Sequence, residues 1–245
     1  MKRCIVLFSG GIDSAYTVAK SAGEYDSMVL VTYVTPGMTR VKASLKVSSQ
    51  LRRLYGNKIS HRIIDIRAEV DSLRGGAARC VADNVKYRFF YSWCLGCKVA
   101  MHLHTVKLCR ELGIKEVLDG SNIYDALAME QYEEVKGIFR EIYLENGISY
   151  ISPFYREDGG PAERGRVYGL LRRLGLVKDS TQKRVAYLRK EGIDVGWGFV
   201  DQYRSCQPSC VASLLFNIPR IFLRFLFDEK KSGYLDYVRD RSRGR

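Results

Sequence analysis

The run Ser9-Gly10-Gly11-Ile12-Asp13-Ser14 directly follows the short apolar stretch Lys2–Phe8. It opens a segment whose apolar residues Ile12, Ala15, Val18 and Ala19 recur at helical spacing. Glycines between a buried strand and a helix let backbone N–H groups approach an anion with no Cβ in the way. The helix N-terminus adds partial positive charge, and the Ser9 and Ser14 hydroxyls can donate to phosphate oxygens. No Gly-Lys-Ser/Thr follows, so the loop is not of the Walker type. Ser9, Gly10, Gly11, Ile12, Asp13 and Ser14 are therefore expected to bind a nucleotide's phosphates.

A second constellation is sulfur. Cys94-Leu-Gly-Cys97-Lys98 puts two thiols three residues apart near a helix start, and Cys206-Gln-Pro-Ser-Cys210 supplies two more far downstream. Four thiolates would make a tetrahedral Zn²⁺ site. Three would hold a [4Fe–4S] cluster with one iron open. With no metal, one thiol could carry a persulfide that the other resolves. Cys4 and Cys109 are expected in the core. His61, His102 and His104 lack zinc-motif spacing and are expected on helix or strand surfaces. The aromatic run from Tyr87 to Trp93 could stack on a nucleic-acid base, but is expected rather to pack a helix on a sheet.

Elements must position these groups. Buried strands are expected at Lys2–Phe8, Met28–Val34, His61–Ile66, Glu116–Leu118 and Ile148–Ile151. A basic helix over Val41–Tyr55 should turn Leu45, Leu51 and Leu54 inward, and another helix lies within Trp93–Leu112. Strands alternating with helices predict an α/β fold, a five-stranded parallel sheet covered on both faces. Past Pro153 the pattern changes to a polar turn, Arg156–Arg164, and basic helices near Gly165–Leu174 and Thr181–Gly192. The chain is thus divided into a nucleotide-binding core, 1–153, and a basic, mainly helical region, 154–245, with a frayed tail.

The 245 residues carry 40 Lys+Arg against 27 Asp+Glu, a formal net charge of +13. Between Ser27 and Ile64 there is no acid but seven basic residues, Arg52 and Arg53 among them. From Arg164 to Lys190 the single acid is Asp179, against nine basic residues that include Arg172, Arg173, Lys183 and Arg184. Such stretches attract polyanions, and these six are the expected nucleic-acid contacts. The five-residue apolar start is too short for a signal peptide and no stretch spans a bilayer, so a cytoplasmic location with no membrane partner is expected. The apolar stretch Leu214–Phe227 would serve as a homodimer face or a lid.

Ser9-Gly10-Gly11-x-Asp13-Ser14 resembles the signature of the PP-loop ATP pyrophosphatases, which split ATP between its α- and β-phosphates and transfer AMP to a substrate oxygen. Cys94-x-x-Cys97-Lys98, followed by Leu118-Asp119-Gly120-Ser121-Asn122-x-x-Asp125, is similar to the ATP-dependent sulfur-transferase branch, tRNA thiolases included. The resemblance covers about residues 1–155. It implies a Rossmann-like adenine nucleotide alpha hydrolase fold with pyrophosphate on Ser9–Ser14 and Mg²⁺ beside it. Adenine would lie near Leu7, Phe8 and Val31–Tyr33. It gives catalytic roles to Asp13, Cys94, Cys97 and Asp125, nucleotide contacts to Lys98 and Gly120, and metal ligation to Cys94, Cys97 and Cys206 or Cys210. The implied reaction is adenylation of a carbonyl oxygen followed by sulfur transfer, with ATP, Mg²⁺, a [4Fe–4S] cluster or Zn²⁺, a sulfur donor and tRNA as partners. Two other readings stand beside it: an ammonia-using amide- or nitrile-forming ligase like the 7-cyano-7-deazaguanine synthases, and a catalytically silent nucleotide- or RNA-binding module.

Overall fold

The computed structural model of the chain describes residues 1–36, 41–75, 79, 82–83, 86, 93–121, 132–155, 179–195 and 233–244. Five strands, β1 (Arg3–Leu7), β2 (Ser27–Val34), β3 (Ile59–Asp65), β4 (Glu116–Asp119) and β5 (Ser149–Ile151), form one sheet in the order β3-β2-β1-β4-β5. Every pairing is parallel, with Ile5 opposite Val29 on one side and Val117 on the other. β1 is buried along most of its length because both of its faces are covered by helices, as a parallel sheet requires.

Helices α1 (Ile12–Ser21), α2 (Val41–Tyr55) and α6 (Asp179–Lys190) share an apolar cluster with Cys4, Val6, Met28 and Leu30. The opposite face carries α3 (Arg67–Arg74), α4 (Trp93–Leu112), α5 (Glu133–Glu145) and α7 (Gly233–Ser242), whose residues cluster with Ile5, Val29 and Val117. The sheet is therefore wound in two directions from β1, through β2 to β3 and through β4 to β5.

The strands and the helix over Val41–Tyr55 fall where the apolar periodicity predicts, and Cys4 and Cys109 are core residues. Three expectations are corrected. On α2 only Leu51 of the three leucines is buried; Leu45 and Leu54 are 47% and 48% exposed, and the inward face is completed by Ser44, Val47 and Ser48. His102 is 0% exposed rather than on a surface: it stacks on Phe139 at 3.9 Å and its Nδ1 pairs with the Tyr143 hydroxyl at 3.0 Å. Burial and the Lys98 charge hold its imidazole well below the ordinary histidine range, so it is neutral.

The tail is helical instead of frayed. Tyr237 and Val238 of α7 are fully buried, and Arg241 pairs with the Asp83 carboxylate in a site where both side chains are nearly buried. Residues beyond 153 thus contribute to both apolar clusters, Leu188, Ile193 and Val195 on one face and Tyr237 and Val238 on the other. The expected helix near 165–174 and the aromatic run from 87 to 92 lie outside the described residues.

Candidate nucleotide site

In an open parallel sheet the ligand crevice lies beyond the carboxyl ends of adjacent strands whose connections run in opposite directions. Here those strands are β1 and β4. The loop Ser9–Ser14 leaves β1 at that point, and Asp119-Gly120-Ser121 leaves β4 beside it.

Packing fixes the β1 loop to its surroundings. Gly10 has φ +74°, and a Cβ there would fall 2.5 Å from the Ser44 Cα, so the loop backbone lies directly against α2. The Ser9 hydroxyl accepts from the Gly11 N–H at 3.2 Å and lies 3.2 Å from the Ser14 hydroxyl, which donates to the Gly11 carbonyl at 3.1 Å. Gly11 caps α1 with no side-chain bond to its first amides. Two hydroxyls thus meet at a helix N-terminus whose first turn carries the half-buried Asp13.

The β4 turn is clamped to the same loop. A Cβ on Gly120 would meet the Asp13 carbonyl carbon and the Ser14 nitrogen at 2.7 Å each. This is backbone against backbone, and only glycine fits. Asp119, 2% exposed, holds the turn from inside: its carboxylate accepts from the Ser121 N–H at 3.3 Å and from the Ser121 hydroxyl at 2.5 Å, and from the hydroxyls of Tyr150, at 2.5 Å, and Ser152. Lys136 of α5, 0% exposed, places its ammonium 3.7 Å from Asp119, donates to Ser152 and lies 4.0 Å over the Tyr155 ring.

Burial alone would raise the Asp119 carboxyl, but the Lys136 and Lys98 charges and the Ser121 and Ser152 hydroxyls hold it well below the ordinary carboxylate range. Burial pushes the Lys136 ammonium down to about 8 against the attraction of Asp119. Burial and the Asp119 charge raise the Tyr150 phenol well above its ordinary range, so it stays a donor. Lys98 is half-buried on α4 and close enough to act on Asp119, Lys136 and His102.

Cys97 is half-buried in the second turn of α4, and the buried Arg74 of α3 donates to its sulfur at 2.8 Å. Such a charge-assisted bond is strongest to an anionic sulfur, the form that ligates metals or attacks. Cys94 stands one turn earlier on α4; its side chain lies outside the described residues, as do Asp125, Arg172, Arg173, Cys206 and Cys210. Among the described residues no three His, Cys, Asp or Glu side chains are grouped to hold a metal ion.

Of the expected polyanion contacts, Arg52, Arg53 and Lys183 are exposed. Arg184 is not: it is 4% exposed, and its guanidinium lies 2.6 Å from the Asp13 carboxylate and 3.1 Å from the Phe154 carbonyl. Leu7, Phe8, Val31, Thr32 and Tyr33, expected beside adenine, are all buried. Thr32 donates to the Phe8 carbonyl at 2.7 Å and pairs with His61 Nε2 at 2.8 Å, which ties β1 and β2 together at the site.

No family model matches the chain, and no curated protein matches it. Among the solved structures that resemble it are two at 16% identity each. A predicted subunit of tRNA methyltransferase from Methanocaldococcus jannaschii is similar over 85% of this chain and 93% of that one, with a TM-score of 0.42. The U34-tRNA thiolase NcsA from Methanococcus maripaludis, which carries a [4Fe–4S] cluster, is similar over 99% of this chain and 72% of that one, with a TM-score of 0.49.

Sequence reasoning passed over Asp119 as a working side chain, and it missed Lys136 and Arg74. Asp119 stands inside the quoted Leu-Asp-Gly-Ser run, where its place at a strand end could have marked it. Nothing in the local pattern around Lys136 or Arg74 separates a buried cation from a solvated one. Among the described residues no helix is long and apolar enough to cross a membrane.

Proposed function

We propose that the chain is an ATP-dependent sulfur transferase that adenylates a carbonyl oxygen of a tRNA base and replaces it with sulfur. The observation that carries this reading is the Ser9–Ser14 loop at the point between β1 and β4 where the winding reverses, with Gly120 packed on its backbone. That geometry suits the β- and γ-phosphates of a nucleotide, which would accept from the Ser9 and Ser14 hydroxyls and the first amides of α1. The substrate oxygen attacks the α-phosphorus, the bond to the bridging oxygen breaks, and pyrophosphate leaves onto this loop, where its charge is stabilised.

Asp13 and the two serine hydroxyls are hard oxygen donors of the kind Mg²⁺ takes, and the ion would neutralise the leaving pyrophosphate. Asp125 is proposed to share that carboxylate role. Lys98, which acts on the Asp119 end of the crevice, is proposed as a further cation toward the nucleotide.

Cys97 has the soft donor chemistry of a cluster or zinc ligand. With Cys94 and either Cys206 or Cys210 it would hold a [4Fe–4S] cluster that binds the incoming sulfur. Sulfur from a donor then attacks the activated carbon, the C–O bond breaks, and the original oxygen departs in AMP. Arg52, Arg53 and Lys183 are exposed and suited to the tRNA backbone; Arg172 and Arg173 are proposed to extend that surface.

The test is anaerobic purification followed by iron and acid-labile sulfide analysis, with pyrophosphate release measured from ATP, Mg²⁺ and bulk tRNA. Four irons and four sulfides per chain with tRNA-stimulated pyrophosphate release are expected. Stoichiometric zinc and pyrophosphate release stimulated by ammonia would point to the amide- or nitrile-forming chemistry. No pyrophosphate release would leave a silent binding module.

A further inference from the structure

Asp13 receives its cation from a residue 171 positions away in the chain. Arg184 sits on α6, which shares an apolar cluster with α1 through Leu188 and, just past its end, Ile193. The guanidinium is held by contacts on more than one side. Nη1 donates to Asp13 Oδ1 at 2.6 Å, Nη2 donates to the Phe154 carbonyl at 3.1 Å, and the group lies 5.2 Å from the centre of the Tyr16 ring. Tyr16 is itself boxed edge-on by Phe154 at 5.2 Å and Tyr187 at 5.4 Å. The Arg184 side chain is 5% exposed, while that of Asp13 is 41% exposed at the mouth of the loop.

One arm of a rigid, planar guanidinium thus holds the Asp13 carboxylate while the other is fixed on the Phe154 carbonyl, and the carboxylate stays 41% exposed. This is the arrangement of a partner that orients a metal ligand from behind. The expectation that Arg184 binds a nucleic-acid backbone conflicts with its burial. We infer that Arg184 is a positioning residue that fixes the Asp13 carboxylate for the divalent cation of the bound nucleotide. The inference rests on the proposed role of Asp13 at a Mg²⁺–ATP site and deepens it. A neutral Met fits against the Tyr16 ring but releases Asp13, whereas Lys keeps the charge and loses the fork, so the two separate charge from geometry.

The experiment is calorimetric titration of the full chain with ATP over a series of Mg²⁺ concentrations, for wild type, R184M, R184K, D13N and the D13N/R184M pair. Loss of the orienting partner should raise the Mg²⁺ concentration for half-maximal ATP binding by about tenfold in R184M. A smaller rise is expected in R184K, with no further change on adding R184M to D13N. A wild-type Mg²⁺ dependence in R184M and R184K overturns the inference. So does an R184M loss of equal size in the D13N background, because Arg184 would then act independently of Asp13. Absence of any Mg²⁺–ATP binding by wild type defeats the nucleotide-site reading itself, whereas wild-type binding with unaltered variants defeats this inference alone.

Discussion

Lys136 Nζ lies 3.7 Å from Asp119 Oδ1, and neither side chain is more than 2% exposed. The pair joins α5 to the end of β4, where Asp119 also holds the turn that packs on the phosphate loop. A buried charge whose partner is removed keeps its desolvation cost and loses its compensation. Lys136→Met and Asp119→Leu should each cost about 3–5 kcal/mol, and the double variant less than the sum. Urea unfolding of the three variants checks this; single losses below about 1 kcal/mol would mean that the pair is not buried and coupled as described.

Acid should find the same pair. The Asp119 carboxyl is held below its ordinary range in the folded chain, so at low pH the unfolded chain binds more protons. Its contribution to stability is present above the ordinary value of 3.8 and is lost as pH falls through the lower folded value. Lys136 has the opposite consequence at the alkaline end. Between about 8 and 10.5 the unfolded chain holds a proton that the folded chain has released, so this group's contribution favours folding as pH rises through that window. Unfolding free energies measured against pH for wild type and Lys136→Met should diverge in slope there, and parallel curves would refute the buried ammonium.

Gly120→Ala tests the clamp between the β4 turn and the β1 loop. Its Cβ would press on the backbone of Asp13 and Ser14, which has no side-chain end to swing away. A stability loss of about 1–3 kcal/mol is expected, with ATP binding weakened roughly a hundredfold if the loop moves by about an ångström. Gly137→Ala is the control, since nothing lies within 4 Å of a Cβ there; in mid-helix it should be neutral or stabilising by about 0.5–1 kcal/mol. Equal behaviour of the two variants in thermal unfolding and ATP titration would contradict the clamp.

Cys97→Ser should separate the two halves of the proposed reaction. The sulfur is on α4, while activation is assigned to the β1 loop and its first helical turn. Pyrophosphate release from ATP should therefore survive while thiolated product disappears, as read by mass spectrometry of digested tRNA. Retention of thiolation by Cys97→Ser would remove Cys97 from sulfur delivery.

The sheet and its loop are readable in the sequence because their signals are local. A short apolar run followed by Ser-Gly-Gly marks β1 and the phosphate loop, and the helix expected within Trp93–Leu112 fills that whole segment. What the sequence hides is partnership between distant segments. Arg184 looks like one more charge in a basic stretch until α6 packs on α1 and turns it onto Asp13. His102 looks like a solvated helix residue until Phe139, Tyr143 and Tyr150 enclose it. Leu45 and Leu54 err in the opposite direction: small Ser44 and Ser48 let α2 approach the Gly10 loop and β3, and leave both leucines outside.

The Ser9–Ser14 loop as a pyrophosphate site is tested most directly by quantifying the products from ATP labelled at its α- and γ-phosphates, in the presence of Mg²⁺ and bulk tRNA. AMP and pyrophosphate in equal amounts are predicted from the wild-type chain, and neither from folded Asp13→Ala or Ser14→Ala. Release of ADP and phosphate instead, or AMP formation undiminished in both variants, would contradict it.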